Sequence, residues 1–235
     1  RLMMKIKSKK DEFNLFNQLS SDWWNDEGHF SVLHRIRPIR IKYIIDQIKP
    51  RNLKGLKILD IGCGGGLVSE SLAKLGGNVT GVDFVENNIN IAKNHSLSNN
   101  LEIEYKCIDA ENENIKNKYD IIILFEILEH LENWKTFVSK IKQNLNKDGI
   151  IILSTINRNI YSKIFAIHIA ENILNWIPKG THDFKKLIKP NEILEVFEKE
   201  GLKVTNFKGL IFNPIIDEWQ ISQNTKINYF CTAKI

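Results

Sequence analysis

The stretch from Lys57 to Gly66, KILDIGCGGG, decides the fold. A short β-branched run, Lys57–Ile61, ends on a cluster of glycines, and an amphipathic segment, Leu67–Leu75, begins directly after it. This order of strand, loop and helix puts Gly62, Gly64, Gly65 and Gly66 where missing side chains let the backbone approach a bound nucleotide. A dinucleotide loop of the G-x-G-x-x-G/A kind needs a small residue at the third position, which here is Leu67. Asp60 stands two residues before the first glycine. A carboxylate is poorly placed against a pyrophosphate but suits a positively charged ligand; the alternative is an aspartate that caps the helix or orders the loop.

Outward from this loop, apolar runs alternate with helical periodicity. The runs Lys57–Ile61, Asn78–Val82, Glu102–Cys107, Tyr119–Phe125 and Gly149–Ser154 read as strands. Leu67–Leu75, Asn87–Ser98 and Trp134–Leu145 carry apolar residues three and four apart and read as helices laid on a sheet. The alternation predicts an α/β, doubly wound, Rossmann-like parallel sheet. Asn146–Gly149 reads as a helix end and turn, with Gly149 free to take a positive φ. Beyond Ser154 come an amphipathic stretch, Ile160–Ile177, a helix, Asn191–Glu200, and two late strands, Leu202–Lys208 and Ile227–Ala233. One domain is expected, with a helical cap at 1–52, a core at 53–154, a helical lid or insertion at 155–200 and final strands at 201–235.

The chain of 235 residues is 43% apolar and 26% charged, an ordinary globular composition. Its net charge of +5 comes from 33 basic residues interleaved with 28 acidic ones, which argues against a nucleic-acid surface. Three scattered cysteines make neither a disulfide framework nor a zinc site and fit a reducing cytoplasm. The basic start lacks the apolar run of an export signal, and charged and polar residues interrupt 160–177 too often for a membrane span.

Two further acids stand where a nucleoside would lie. Asp83 ends the second strand, 21 residues beyond Gly62, the distance expected for a carboxylate that binds ribose hydroxyls. Asp109 follows the third strand and either meets an adenine amino group or serves the turn.

LDIGCGGG, VD at 82–83 and YDIIILFEILEH at 119–130 together resemble the class I methyltransferases. That resemblance implies a seven-stranded sheet with a reversed final strand and S-adenosyl-L-methionine as cofactor. WWNDEGHFSVLHRIRPIRIKYI, STINRN, PKGTHDFKKLIKP and GLIFNP resemble, more narrowly, the ubiquinone-biosynthesis O-methyltransferases. The family methylates catechol-type hydroxyls of polyprenylated intermediates at two stages. On its motifs Arg40, Gly62, Asp83 and Phe125 contact the cofactor; Phe125 stands where relatives often carry methionine. The resemblance leaves room for association with other ubiquinone-biosynthesis enzymes.

Methyl transfer to a phenol needs positioning and a group that takes the hydroxyl proton. Glu126, Glu129 and His130 fall within one helical turn. They either bind a divalent cation such as Mg2+, or leave His130 to act as the base with Glu126 beside it, or merely order the loop. Asn157 either orients substrate or bonds within its loop. The broad apolar face of 160–177, with Lys163, Lys179, Lys185 and Lys186 nearby, reads as a lid that touches anionic lipids on the cytoplasmic face of the inner membrane, or else as core. Trp23 and Trp24, with His29 and His34, either cover the cofactor or pack. Two other classes share much of this pattern. Another small-molecule methyltransferase differs only in the flanks, and a silent cofactor-binding adaptor leaves the 126–130 cluster without use.

Overall fold

The computed structural model describes residues 8–159, 161–162, 184–213 and 215–235. Two helices, α1 (Lys9–Leu19) and α2 (Ser31–Ile48), precede the sheet. Then β1 (Lys57–Ile61), α3 (Leu67–Lys74), β2 (Asn78–Asp83), α4 (Glu86–Ser98), β3 (Glu104–Cys107), β4 (Tyr119–Phe125), α5 (Trp134–Lys142) and β5 (Leu145–Ile156) alternate as their periodicity predicts. Helix α6 (Pro190–Lys199), β6 (Lys203–Asn213), β7 (Glu218–Ser222) and β8 (Asn228–Lys234) complete the described chain.

The sheet order is β3-β2-β1-β4-β5-β8-β6-β7. Strands β1 to β5 are parallel, and β8 enters antiparallel to both β5 and β6. The last strand is therefore reversed, but the sheet has eight strands among the described residues, and β7 is reversed as well. The extra strand, β7, forms an antiparallel hairpin with β6 at the sheet edge. Its sequence, EWQIS, is short and carries a single β-branched residue, so it lacks the pattern of a strand.

Alternation along the strands sorts the core onto two faces. Leu59, Ile122 and Leu124 face α5 and α6, packing with Phe137, Ile141, Ile193 and Phe197. Ile58, Ile121 and Ile123 face α2 and α3, packing with Tyr43, Ile44 and Leu72. This parity aims Asp60 at the α2 side with Ile58, so a strand-end carboxylate is carried under a helix.

One turn is corrected. Asn146–Gly149 lies inside β5, as an irregularity where Tyr119 pairs with Leu145 and Ile121 already pairs with Ile150. Gly149 is absent from the positive-φ residues. Its requirement is room, because a Cβ there would stand 2.9 Å from the Asn146 carbonyl oxygen and 3.1 Å from that of Tyr119. The expected amphipathic stretch Ile160–Ile177 and the segment Pro178–Asp183 lie outside the described residues, Tyr161 and Ser162 apart. No helix among the described residues is long and apolar enough to cross a membrane. Gly149→Ala is expected to cost about 1–3 kcal/mol of stability by overpacking, read by urea unfolding.

Candidate active site

The glycine loop leaves β1 with Gly62, Gly64 and Gly66 at φ 71°, 54° and 89°. Side chains other than glycine rarely adopt this left-handed backbone, which here turns the chain sharply enough to start α3 within a few residues. Asp83, at the end of neighbouring β2, fixes the loop. Its Oδ2 accepts the Gly64 N–H at 3.0 Å, and its Oδ1 accepts the Val85 N–H at 2.9 Å and the Asn88 amide at 3.2 Å. Burial raises the Asp83 carboxyl, and these donors pull it back down.

Asp60 is 3% exposed and accepts the Ser69 hydroxyl of α3 at 2.6 Å. Burial pushes its carboxyl up to about 6, against the Ser69 bond and the Arg40 charge. Arg40 lies on the apolar face of α2 in register with Ile36 and Ile44, and it too is buried. Its Nη2 donates to Glu126 Oε1 at 3.1 Å, its guanidinium stands 4.9 Å from the Phe125 ring centroid, and its Nε has no hydrogen-bond partner. A charged residue on an apolar helix face is the local signal that separates Arg40 from the exposed Arg35 earlier on the same helix.

Glu126 follows β4 at φ 54°, an uncommon conformation for a residue with a side chain. Ser154, at the C-terminal part of β5, donates to the same Glu126 Oε1 at 2.8 Å. Glu129 and His130 sit on the short 3-10 turn Leu128–His130. Glu129 is 3% exposed, and neither carboxylate oxygen has a hydrogen-bond partner. Burial, and then the Glu126 charge, hold its carboxyl well above the usual range. His130 Nδ1 lies 2.9 Å from Glu12 on α1. Burial alone would lower the imidazole, but Glu12 and the neighbouring carboxylates raise it.

Glu126, Glu129 and His130 are thus neighbours, but they do not converge on a point. Among the described residues no three acidic, histidine or cysteine side chains are grouped to hold a metal ion.

Asp109 lies at the rim, where it accepts Lys9 Nζ at 2.7 Å and the Asn112 amide at 2.8 Å. Asn157 directs its amide to the Thr225 carbonyl at 2.9 Å, the loop-bonding alternative. The tryptophan pair packs, the second of the two alternatives for it. Trp23 stacks on Phe30 and lies against Gly64 and Gly65, while Trp24 donates to the Gly65 carbonyl at 2.9 Å and stacks on His95. Glu12, Ser154 and this direct hold on the loop were not anticipated. Glu12 belongs to no motif and lies more than a hundred residues from His130 in the chain.

A cavity of about 70 Å³ opens between Gly62, Asp83, Phe84, Asp109, Ile127 and His130, with Lys9 and Glu12 as its cover. This is below the roughly 300 Å³ of ordinary small-ligand sites. A larger depression, near Lys57, Thr80 and Glu104, lies at the opposite strand ends and holds none of these groups.

A parallel sheet with a glycine loop after β1 and an aspartate near the end of each of its first two strands defines a nucleotide-binding α/β fold, and the comparisons specify which. A methyltransferase-domain family matches residues 32–206. The ubiquinone biosynthesis O-methyltransferase of Rickettsia typhi is 42% identical over 223 residues, covering 94% of this chain and 91% of that protein. That of Pelagibacter ubique is 39% identical, covering 94% and 95%. The magnesium protoporphyrin IX methyltransferase of Synechocystis PCC 6803 with bound SAH shares the fold, with a TM-score of 0.69 at 18% identity over 97% of this chain and 99% of that one. The chain belongs to the ubiquinone biosynthesis O-methyltransferase family.

The raised Asp60 carboxyl has a consequence for stability. The folded protein binds this proton more tightly than the unfolded chain, so stability falls as pH rises from about 4 through 6, leaving a deficit of about 3 kcal/mol at neutral pH. Asp60→Asn is expected to stabilise the ligand-free protein by about 2 kcal/mol at pH 7.5 and by little at pH 4. Urea unfolding at the two pH values reads the difference.

Proposed function

We propose that this chain transfers the methyl group of S-adenosylmethionine to phenolic hydroxyls of polyprenylated catechols at both O-methylation steps of ubiquinone assembly, on 2-polyprenyl-6-hydroxyphenol and on 3-demethylubiquinol. The observation that carries the reading is an excess of buried negative charge. Asp60, Asp83 and Glu129 are buried beside the glycine loop, whereas Arg40 is the one buried lysine or arginine among the described residues. A ligand with a sulfonium and an ammonium group supplies the missing positive charge. Family membership supports the acceptor class, and the SAH bound in the fold neighbour supports the donor.

The residues fit this donor. Asp83, Phe84, Ile108 and Asp109 line one cavity beside the glycine loop, which supports a ribose on Asp83 and an adenine amino group on Asp109. The unpartnered Arg40 Nε suits a carboxylate, and Phe125 keeps an apolar wall where relatives often carry methionine. When bound, the donor offers a sulfonium methyl group for in-line displacement. His130 takes the phenolic proton as the oxygen–carbon bond forms, and its raised pKa strengthens it as a base. Arg40 and Ser154 hold Glu126 beside it, and the Trp23–Trp24 segment keeps water from the loop.

A second reading has Glu126, Glu129 and His130 hold a divalent cation, and one observation favours it: the two unsatisfied oxygens of Glu129. Against it, Glu126 is engaged by Arg40 and Ser154, and His130 by Glu12. A polyprenyl acceptor resides in the bilayer, so contact with a membrane surface belongs to the same proposal.

Purified protein incubated with methyl-labelled S-adenosylmethionine and a polyprenyl catechol is expected to yield labelled methyl ether. No label in any phenolic product overturns the reading. Turnover that persists after exhaustive chelation selects the metal-free base; loss restored by Mg2+ selects the cation.

A further inference from the structure

The glycine loop is gripped at two successive residues, and the second grip has no part in the chemistry described so far. Asp83, which lines the cavity, accepts the Gly64 N–H at 3.0 Å. Trp24, which does not line it, donates its indole N–H to the Gly65 carbonyl at 2.9 Å. That carbonyl shares one planar peptide with the Gly66 N–H, which returns to the Cys63 carbonyl at 2.9 Å. Holding the carbonyl therefore sets the plane of the turn. Trp24 itself lies flat on His95 of α4, with ring centroids 3.4 Å apart and planes 7° apart. His95 Nδ1 lies 2.7 Å from Oε1 of Glu70, an acid on α3 that is only 1% exposed. A carboxylate so buried is costly unless it is partnered, and its Oε2 has no hydrogen bond, with Lys74 Nζ 3.8 Å away. Glu70 accepts the Nδ1–H and so sets the tilt of the ring. On the same face of α4, Asn88 accepts the Trp23 indole N–H at 2.8 Å and donates to Asp83 at 3.2 Å.

We propose that His95, oriented by Glu70, is a positioning residue for donor binding: its ring is the shelf that aims the Trp24 indole N–H at the Gly65 carbonyl and so holds the loop in the conformation that receives the donor. Nothing in the loop sequence supplies this hold, because glycines leave the backbone free to take other conformations. Neither Glu70, His95 nor Trp24 lines the cavity, so their effect falls on the loop and leaves the reacting groups in place. A loop fixed before the donor arrives binds it without the cost of ordering. This inference rests on the donor binding at the glycine loop.

The test measures S-adenosylhomocysteine binding by calorimetry, and steady-state kinetics, in His95→Gln, His95→Phe, Trp24→Phe and the double variant His95→Gln/Trp24→Phe. His95→Gln removes the ring but leaves an amide to serve Glu70; Trp24→Phe keeps a ring on His95 but removes the N–H. Each of these two is expected to weaken S-adenosylhomocysteine binding and raise the donor KM roughly three- to tenfold, with kcat and the acceptor KM within about twofold. His95→Phe, which restores a flat ring, should recover part of the loss, and the double variant should bind about as well as Trp24→Phe alone. The amide resonance of Gly66 should move in both single variants. Should a His95 variant fail to fold, Trp24→Phe carries the same expectation with His95 and Glu70 in place. Unchanged donor binding in either variant, whatever its thermal transition, overturns the proposal. So do a loss that falls on kcat or the acceptor KM, no recovery in His95→Phe, or losses that multiply in the double variant. Wild-type binding in Asp83→Asn instead overturns the placement of the donor, so the two failures are told apart.

Discussion

Negative charge collected at the C-terminal ends of the parallel strands is the constraint on which the rest of the site depends. β1 ends beside Asp60, β2 on Asp83, and β4 runs into Glu126 and Glu129. Three of these four are buried, and one buried arginine, Arg40, faces them. Ionised carboxylates in such a place cost several kcal/mol each unless paired or hydrogen-bonded. The protein meets part of that cost with backbone N–H groups on Asp83, a hydroxyl on Asp60 and the Arg40–Glu126 pair. The remainder appears as the raised carboxyls of Asp60 and Glu129. A site that stays short of positive charge when empty is pre-organised for a cationic ligand.

The same constraint explains how the N-terminal segment is attached. The glycines of the Gly62–Gly66 loop cannot carry side chains: φ is positive at three of them, and the Ile127 side chain lies where a Cβ of Gly62 would go and that of Trp23 where those of Gly64 and Gly65 would go. Trp23 and Trp24 therefore pack on bare backbone, and their indole N–H groups find Asn88 and the Gly65 carbonyl. Placement of α1 over the cavity follows from this anchor, and its ion pairs to Asp109, Glu111 and His130 follow from α1. The N-terminal helix, the glycine loop and the turn at Leu128–His130 are thus tied together.

The alternation of apolar runs with helical periodicity made β1 to β5 legible, because each buried parallel strand must be apolar along its length. The late part was less so. β7 pairs only at an edge and needs little apolar pattern, and Asn146–Gly149 has the composition of a turn while lying inside β5. In the site, Asp60, Asp83 and the glycines were legible because their spacing along the chain reflects the loop geometry itself. Glu126, Glu129 and His130 could be named from proximity in sequence, but their separate engagements could not. Those depend on Arg40, Ser154 and Glu12, brought from α2, β5 and α1 by tertiary packing. Glu12 in particular looks like any acid in the first turn of a surface helix.

The most direct test of this account is a crystal structure with S-adenosylhomocysteine and a catechol bound. The account predicts ribose hydroxyls on the Asp83 carboxylate, the amino-acid end between Arg40 and Asp60, and a catechol oxygen within hydrogen-bond reach of His130. A nucleoside bound away from the Gly62–Gly66 loop, or a catechol oxygen remote from His130, would contradict it.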